Sequence, residues 1–199
     1  MKYISQLAYP DWLYITRTSK PEGPERDKGK TTTISKSGCG LCSCIMVADR
    51  LLVDNTFGLK EAIRLSYDVQ ANQWIGTSLS VYAPAFAEKM GFDLEMTGDP
   101  ARLRCCLRTG GAAIAHVRGD REGHVGVFSH GGHYVAVVAE ERDGRIAVLD
   151  PSYKPGKYEE EGRRGLVEVK NDVMAVCDMQ VLMDDTETRI NRFYLFWRK

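Results

Sequence analysis

Cys39, which stands between two glycines in residues 37–43, is the side chain in this sequence best suited to nucleophilic chemistry. Apolar residues recur at helical spacing after it, so the pattern predicts that Cys39 lies at the beginning of a helix. Unpaired backbone N–H groups and the positive end of the helix dipole both favour a charged thiolate there. The flanking glycines would let a substrate backbone approach the sulfur closely. We therefore predict a reactive thiol.

A histidine and an aspartate further along the chain could serve this thiol. His133 follows Gly131 and Gly132 and opens an alternating strand, and Asp150 closes the next predicted strand. Cys, then His, then Asp is the outline of a papain-like cysteine hydrolase, in which the histidine is the base and the aspartate orients it. The thiolate would attack a carbonyl, and the backbone N–H of Cys39 is one candidate donor to the resulting oxyanion.

The hairpin between these two strands decides whether His133 and Asp150 can meet. A two-residue turn at residues 143–144 would place Asp150 opposite Val137, whereas a four-residue turn would place it opposite Val135. Side chains alternate between the two faces of a strand, so in either register His133 and Asp150 project from the same face. An offset of two residues along the strand leaves the two side chains at diagonal reach of each other, whereas an offset of four would need help from strand twist.

Two other functions are compatible with some of the same residues. Cys39, Cys42, His130 and His133 are of the right types for a tetrahedral zinc site, although the histidine spacing is tighter than usual. Cys39 and Cys42 also form a C-x-x-C motif at a predicted helix start, as in thioredoxin-type redox proteins, but the segment before them is polar. His130 is in addition a second candidate for the base.

The composition limits the class of protein. The chain has 199 residues, 43% of them hydrophobic, and its 27 basic residues balance 27 acidic ones. This balance argues against nucleic acid or a membrane surface as the main partner. No signal-peptide core is found at the beginning, and no stretch approaches the ~18 apolar residues of a membrane span. The cysteine spacing does not suit a disulfide scaffold, so we expect reduced thiols and a cytoplasmic location.

The predicted elements change type near the middle of the chain. Helical periodicity and end signals predict helices at residues 41–53, 57–69 and 79–90 and between Asp99 and Gly110. Short β-prone segments predict strands at residues 112–117, 133–139, 145–149, 165–169, 173–177 and 193–197. We therefore predict one α+β domain over residues 1–199, with a helical half at residues 39–110 and a sheet half at residues 111–199.

Three blocks of sequence together resemble the bacteriocin-leader-processing cysteine peptidases and their peptidase-like relatives. The blocks are Thr-Ile-Ser-Lys-Ser-Gly-Cys-Gly at residues 33–40, Gly-Gly-His-Tyr-Val-Ala-Val-Val at residues 131–138 and Val-Leu-Asp-Pro at residues 148–151. The resemblance implies a papain-like fold, with a helical N-terminal half packed on an antiparallel C-terminal sheet, and Cys39, His133 and Asp150 as the triad. In that family a glutamine six residues before the nucleophile helps to form the oxyanion hole. Thr33 stands at that position here, so the resemblance implies Thr33 as the second oxyanion donor.

These observations predict a papain-like thiol hydrolase or acyl-transfer enzyme that acts on a peptide or amide and needs no cofactor. The polar residues 16–38 are predicted to form an exposed loop ahead of the nucleophile, and residues 119–132 a loop at the edge of the cleft. The alternative is a catalytically inactive, peptidase-like binding module, because a fold does not fix a function. The threonine in place of the family's glutamine is the feature that favours this alternative.

Overall fold

The computed structural model describes residues 1–16, 30–73 and 76–199. The helices in these ranges are α1 (Ile34–Ser37), α2 (Cys39–Leu51), α3 (Leu59–Asp68), α4 (Leu79–Met90), α5 (Pro100–Arg108) and α6 (Met179–Thr186). The strands are β1 (Leu13–Thr16), β2 (Lys30–Thr33), β3 (Asn72–Gln73), β4 (Gly76–Thr77), β5 (Phe92–Thr97), β6 (Ala112–Val117), β7 (His133–Glu140), β8 (Ile146–Leu149), β9 (Val167–Lys170), β10 (Met174–Cys177) and β11 (Phe193–Arg198). Within the same ranges, none of the helices is long and apolar enough to span a membrane.

A seven-stranded antiparallel sheet lies between two layers of helices. Its strand order is β5-β11-β6-β7-β8-β10-β9, which puts β7 at the centre. One face packs against α2 and α4 through Ala136 and Val138, and the other packs against α5 and α6 through Val135 and Val137. Because β7 is covered on both faces, its first six residues are all buried. The side chains at the beginning of β7 are therefore held firmly between the helical layers.

The predicted α+β class is confirmed, and several predicted elements have the predicted bounds. Strand β6 and helix α4 begin and end where the sequence pattern puts them. Helix α4 ends because Gly91 adopts a left-handed φ of 68°, which glycine tolerates without strain. The division into two halves is less sharp than predicted. Strand β5 comes from the helical half but pairs with β11 at the sheet edge, and α6 comes from the sheet half.

Part of the predicted exposed loop at residues 16–38 is regular structure. Thr16 is buried at the end of β1, and residues 30–37 form β2 and α1. Strands β1 and β2 pair from Leu13 opposite Thr33 to Thr16 opposite Lys30. The loop prediction is wrong for these residues, because threonines are β-branched and favour a strand although their hydroxyls are polar. Residues 17–29, the rest of the predicted loop, lie outside the described residues.

The hairpin between β7 and β8 has neither of the two predicted turns. The N–H of Glu141 donates to the carbonyl of Arg145 at 2.8 Å, which leaves three residues, 142–144, in the turn. Gly144 has a left-handed φ of 84°, a conformation that favours glycine in such a turn. An odd-numbered turn alone would point Asp150 to the face opposite His133, because side chains alternate along a strand.

A β-bulge in β7 restores the predicted alignment. The pairing with β8 shifts by one residue between Val137 and Ala139, so one extra residue is accommodated on β7. Beyond the bulge the register places Asp150 opposite Val135, on the face shared with His133. The turn and the bulge together give the offset that was predicted for a four-residue turn.

A buried aspartate of α6, Asp185, holds the loop at residues 119–132. Its carboxylate accepts hydrogen bonds from the backbone N–H groups of Val127 at 2.8 Å and Phe128 at 3.0 Å. The same carboxylate lies 2.8 Å from Nε2 of His124. Asp185 is fully buried, and so are the side chains of Val127 and Phe128. The middle of this loop is therefore fixed to the core, and its end leads directly into β7.

Replacing Asp185 with alanine should lower the free energy of unfolding by about 3 kcal/mol, because two buried backbone N–H groups lose their acceptor. Urea unfolding followed by circular dichroism measures this loss. Asp184→Ala is the control, since Asp184 is the preceding residue of the same helix and is exposed. The control should change the free energy by less than about 0.5 kcal/mol. Equal losses in the two variants would contradict the anchoring role.

Candidate active site

Cys39 is the first residue of α2, and the glycines around it are packed against neighbouring elements. A Cβ on Gly38 would lie 2.6 Å from Cγ2 of Ile34, and a Cβ on Gly40 would lie 3.2 Å from Cβ of Thr77. Both glycines are buried. They let α1 and β4 pack closely against the beginning of α2, which differs from the predicted role of admitting a substrate backbone.

His133 and Asp150 meet at the end of the sheet next to the beginning of α2. His133 is the first residue of β7 and Asp150 directly follows β8, and they are 5% and 0% exposed. Nε2 of His133 lies 2.8 Å from Oδ1 of Asp150. His133 also acts on the thiol of Cys39, through a hydrogen bond and through its charge. The structure therefore brings the three predicted residues into one continuous line of contacts.

These three side chains shift one another's pKa values. Burial opposes ionisation of Cys39, but the charge of His133 and the hydrogen bond with it help to lower the pKa of the thiol below its ordinary value. The backbone N–H groups of Tyr134 and Gly40 donate to the same sulfur and add to this effect. Burial also opposes protonation of His133, but the Cys39 thiolate and Asp150 raise the pKa of the imidazole to about 9. Both shifts favour a thiolate beside an imidazolium, the form in which a cysteine is nucleophilic.

The carboxylate of Asp150 is surrounded by donors. Besides facing His133, Oδ1 accepts from the N–H of Ser152 at 2.8 Å and from its hydroxyl at 3.0 Å. Oδ2 accepts from the hydroxyl of Tyr158 at 2.9 Å and from Nζ of Lys157. Burial alone would raise the pKa of this carboxyl, but His133 and Lys157 hold it well below its usual range. Asp150 is therefore ionised at neutral pH.

Sequence reasoning missed Ser152, Lys157 and Tyr158. Ser152 could have been found, because an aspartate commonly accepts a hydrogen bond from the backbone two residues further on. Lys157 and Tyr158 return to Asp150 through a short 3₁₀ helix that begins after Gly156, whose φ is 82°. A pairing that depends on the path of this loop has no periodic signal in the sequence.

The two predicted oxyanion donors lie just before and just after α1. Thr33 is the last residue of β2 and precedes the first residue of α1, but its side chain does not cap that helix. Its hydroxyl is therefore not used in helix capping. Cys39 opens α2, where backbone N–H groups lack partners within the helix. Their role as oxyanion donors stays a prediction.

The four residues of the zinc hypothesis do not lie together. Cys42 is fully buried in the core, and burial raises the pKa of its thiol. The exposed ring of His130 instead contacts the carboxylates of Asp120 and Glu160. In the part of the chain that the structure describes, no group of three or more His, Cys, Asp or Glu side chains could hold a metal ion. Cys39 and Cys42 are also both free thiols rather than a disulfide.

Comparison with solved structures finds peptidases. A C39-like peptidase from Bacillus anthracis aligns with a TM-score of 0.50 and 10% identity, over 95% of this chain and 99% of that chain. The peptidase domain of Streptococcus ComA, a bifunctional ABC transporter of a quorum-sensing pathway, aligns with a TM-score of 0.47 and 14% identity, over 81% of this chain and 91% of that chain. No protein-family model and no curated protein sequence matches the chain.

The comparison defines a class of fold. The alignment with the Bacillus anthracis protein extends over almost the whole of both chains. The protein therefore has the α+β fold of the papain-like C39 cysteine peptidases. The resemblance that the three sequence blocks indicated is confirmed at the level of the fold.

Iodoacetamide should alkylate Cys39 at pH values well below about 8.5, the ordinary pKa of a thiol, because a lowered pKa preserves the thiolate until the pH falls through the new value. Peptide mass mapping locates the modified residue. Cys105, exposed on α5, is the internal control and should react more slowly than Cys39 at about pH 6. In the His133→Ala variant, Cys39 should be alkylated no faster than Cys105. Equal rates at both cysteines in the unmodified protein would contradict activation of the thiol.

Proposed function

We propose that this protein is a thiol hydrolase or acyl-transfer enzyme that acts on a peptide or amide bond. The observation that carries the proposal is the line of contacts from Cys39 through His133 to Asp150. The imidazole is hydrogen-bonded to the sulfur on one side and lies 2.8 Å from the carboxylate on the other. A nucleophile, a base and an orienting group in contact are what nucleophilic catalysis by cysteine requires.

The first half-reaction would form a thioester on Cys39. The thiolate adds to the carbonyl carbon of the substrate, and the C=O electron pair moves onto the oxygen. The N–H of Cys39 and the hydroxyl of Thr33 are the candidate donors to this oxyanion. When the tetrahedral intermediate collapses, His133 gives its proton to the departing amine and the C–N bond breaks. Asp150 would hold the imidazole in the orientation that faces the sulfur.

The second half-reaction would release the acyl group. His133, now neutral, takes a proton from water or from an acceptor amine, which attacks the thioester carbonyl. Collapse of the second intermediate breaks the C–S bond, releases an acid or a new amide, and restores the thiolate and the imidazolium. Gly131 and Gly132, directly before His133, are exposed.

Hydrolysis of a peptide library, followed by mass spectrometry, tests the roles of the triad. Cys39→Ala should reduce the rate by about a thousandfold or more and keep the fold, because only one small side chain is removed. Asp150→Asn should reduce the rate less than His133→Ala does, since Cys-His-Asn sites are active in papain-like proteases. Cys105→Ala is the matched thiol control and should hydrolyse the peptides at the same rate as the unmodified protein.

Three outcomes of this assay would count against the proposed roles. Hydrolysis that survives in Cys39→Ala would contradict the nucleophile, and an Asp150→Asn variant with full activity would remove the aspartate from the triad. No hydrolysis by the unmodified protein, with Cys39 unreactive, would leave a peptidase-shaped binding module.

Thr33→Val tests the second oxyanion donor, because valine keeps the shape of the side chain and removes the hydroxyl. Loss of one such donor should lower kcat by about a hundredfold and change KM little, since the oxyanion exists only along the reaction path. Thr31→Val, at an exposed position of the same strand, is the control and should keep kcat. A kcat in Thr33→Val equal to that of the control would remove Thr33 from the oxyanion hole.

A further inference from the structure

We infer that Lys157 is a positioning residue of this site, whose ammonium group neutralises Asp150 so that the carboxylate orients His133 as a neutral amide would. This inference rests on the proposed function, because it concerns the same imidazole. It extends the line of contacts from Cys39 by one further buried charge.

The contacts of Lys157 connect it to both partners of the base. Lys157 is 5% exposed, and its Nζ donates to Oδ2 of Asp150 and, at 2.8 Å, to the hydroxyl of Ser152. The same hydroxyl lies 3.1 Å from Nε2 of His133 and 3.0 Å from Oδ1 of Asp150. Ser152 therefore joins the ammonium, the carboxylate and the imidazole in one network. Because these atoms are buried, the charge on Lys157 acts on His133 with little screening by water.

The charges around the imidazole balance only when Lys157 is included. The thiolate of Cys39 and the imidazolium of His133 cancel, which leaves the carboxylate of Asp150 to be matched by the ammonium. Without Lys157 the buried group would carry one net negative charge, which is unfavourable in a core.

The other groups near Lys157 do not alter this balance. Arg163 and Glu160 both act on Lys157, but they are opposite in sign and pair with each other at 2.7 Å. Tyr158 donates to Asp150 through a hydroxyl whose pKa burial raises, so it is neutral. Tyr3 donates to the backbone carbonyl of Asp150 and is neutral for the same reason.

The balance matters for the chemistry of the base. An unopposed carboxylate stabilises the imidazolium, and an imidazolium that is too stable gives up its proton reluctantly to a leaving group. Papain-like proteases with a Cys-His-Asn site orient the imidazole with an uncharged amide. A carboxylate whose charge is partly offset by a lysine gives the histidine the same orientation and adds less basicity than an unopposed carboxylate would.

The test is an NMR titration of His133 in protein with labelled histidines, of which the chain has four. Lys157→Met removes the charge and keeps the length of the side chain. The pKa of His133 should rise by about two units in this variant, as expected when a unit charge about 5 Å away is lost at an effective dielectric constant of about 20. Tyr158→Phe is the matched control, because it removes an uncharged donor from the same carboxylate oxygen, and should shift the pKa by less than about half a unit.

The double variant Asp150→Asn/Lys157→Met keeps the test usable where Lys157→Met does not fold, because it leaves no unpaired charge in the core. If Lys157 offsets the carboxylate, removing both charges should lower the pKa of His133 by no more than about one unit. A larger fall would show that the carboxylate acts unopposed and would overturn the inference. So would an unchanged pKa in folded Lys157→Met, or equal shifts in Lys157→Met and Tyr158→Phe.

Alkylation of Cys39 in the unmodified protein separates failure of this inference from failure of the proposed function. If Cys39 is not alkylated at low pH, the proposed function is contradicted, whatever the result for the Lys157 variants. A reactive Cys39, together with a His133 pKa that does not respond to Lys157→Met, removes the role of Lys157 and leaves the triad in place.

Discussion

The buried carboxylate of Asp150 is the constraint on which this end of the structure depends. A carboxylate removed from water loses several kcal/mol of solvation unless donors and opposite charges replace the water. Residues 152–158 fold back to supply most of them. The neighbouring backbone is also held, because Tyr3 donates to the carbonyl of Asp150 and the N–H of Gln6 to that of Pro151, each at 2.8 Å. The N-terminal segment, the loop after β8 and the candidate site are thus one packed unit.

Two local irregularities in one hairpin decide whether this carboxylate faces the histidine at all. A three-residue turn at residues 142–144 would make Asp150 project from the face of the sheet opposite to His133. The bulge between Val137 and Ala139 returns Asp150 to the face of His133. Either feature alone would turn Asp150 toward the α2 face of the sheet and away from His133. The pairing of His133 with Asp150 therefore depends on backbone geometry at the bulge and at the turn, several residues along the chain from either side chain.

The sequence was informative where chemistry coincides with the end of an element. Cys39 opens a helix, His133 opens a strand and Asp150 follows one, so periodicity and residue type locate all three. Helix ends that are marked by a proline, a capping acid or a glycine could also be predicted from the sequence. Strand β5 was missed because, at the sheet edge, only its first residue is fully buried, which leaves no alternating pattern. Lys157 was missed because its pairing with Asp150 depends on the three-dimensional path of a loop, and a lysine in a polar loop reads as exposed.

The contrast between Cys39 and Cys42 shows which element lowers the pKa of the Cys39 thiol. Both lie in the first turn of α2, and burial opposes ionisation of both sulfurs. Burial raises the pKa of Cys42 and the nearby Cys39 adds to this shift, whereas the charge of His133 lowers the pKa of Cys39. The helix dipole acts on the same turn in both cases and cannot produce opposite shifts. The lowered pKa of Cys39 is therefore due to the strand that carries the imidazole, and α2 holds the sulfur against that imidazole.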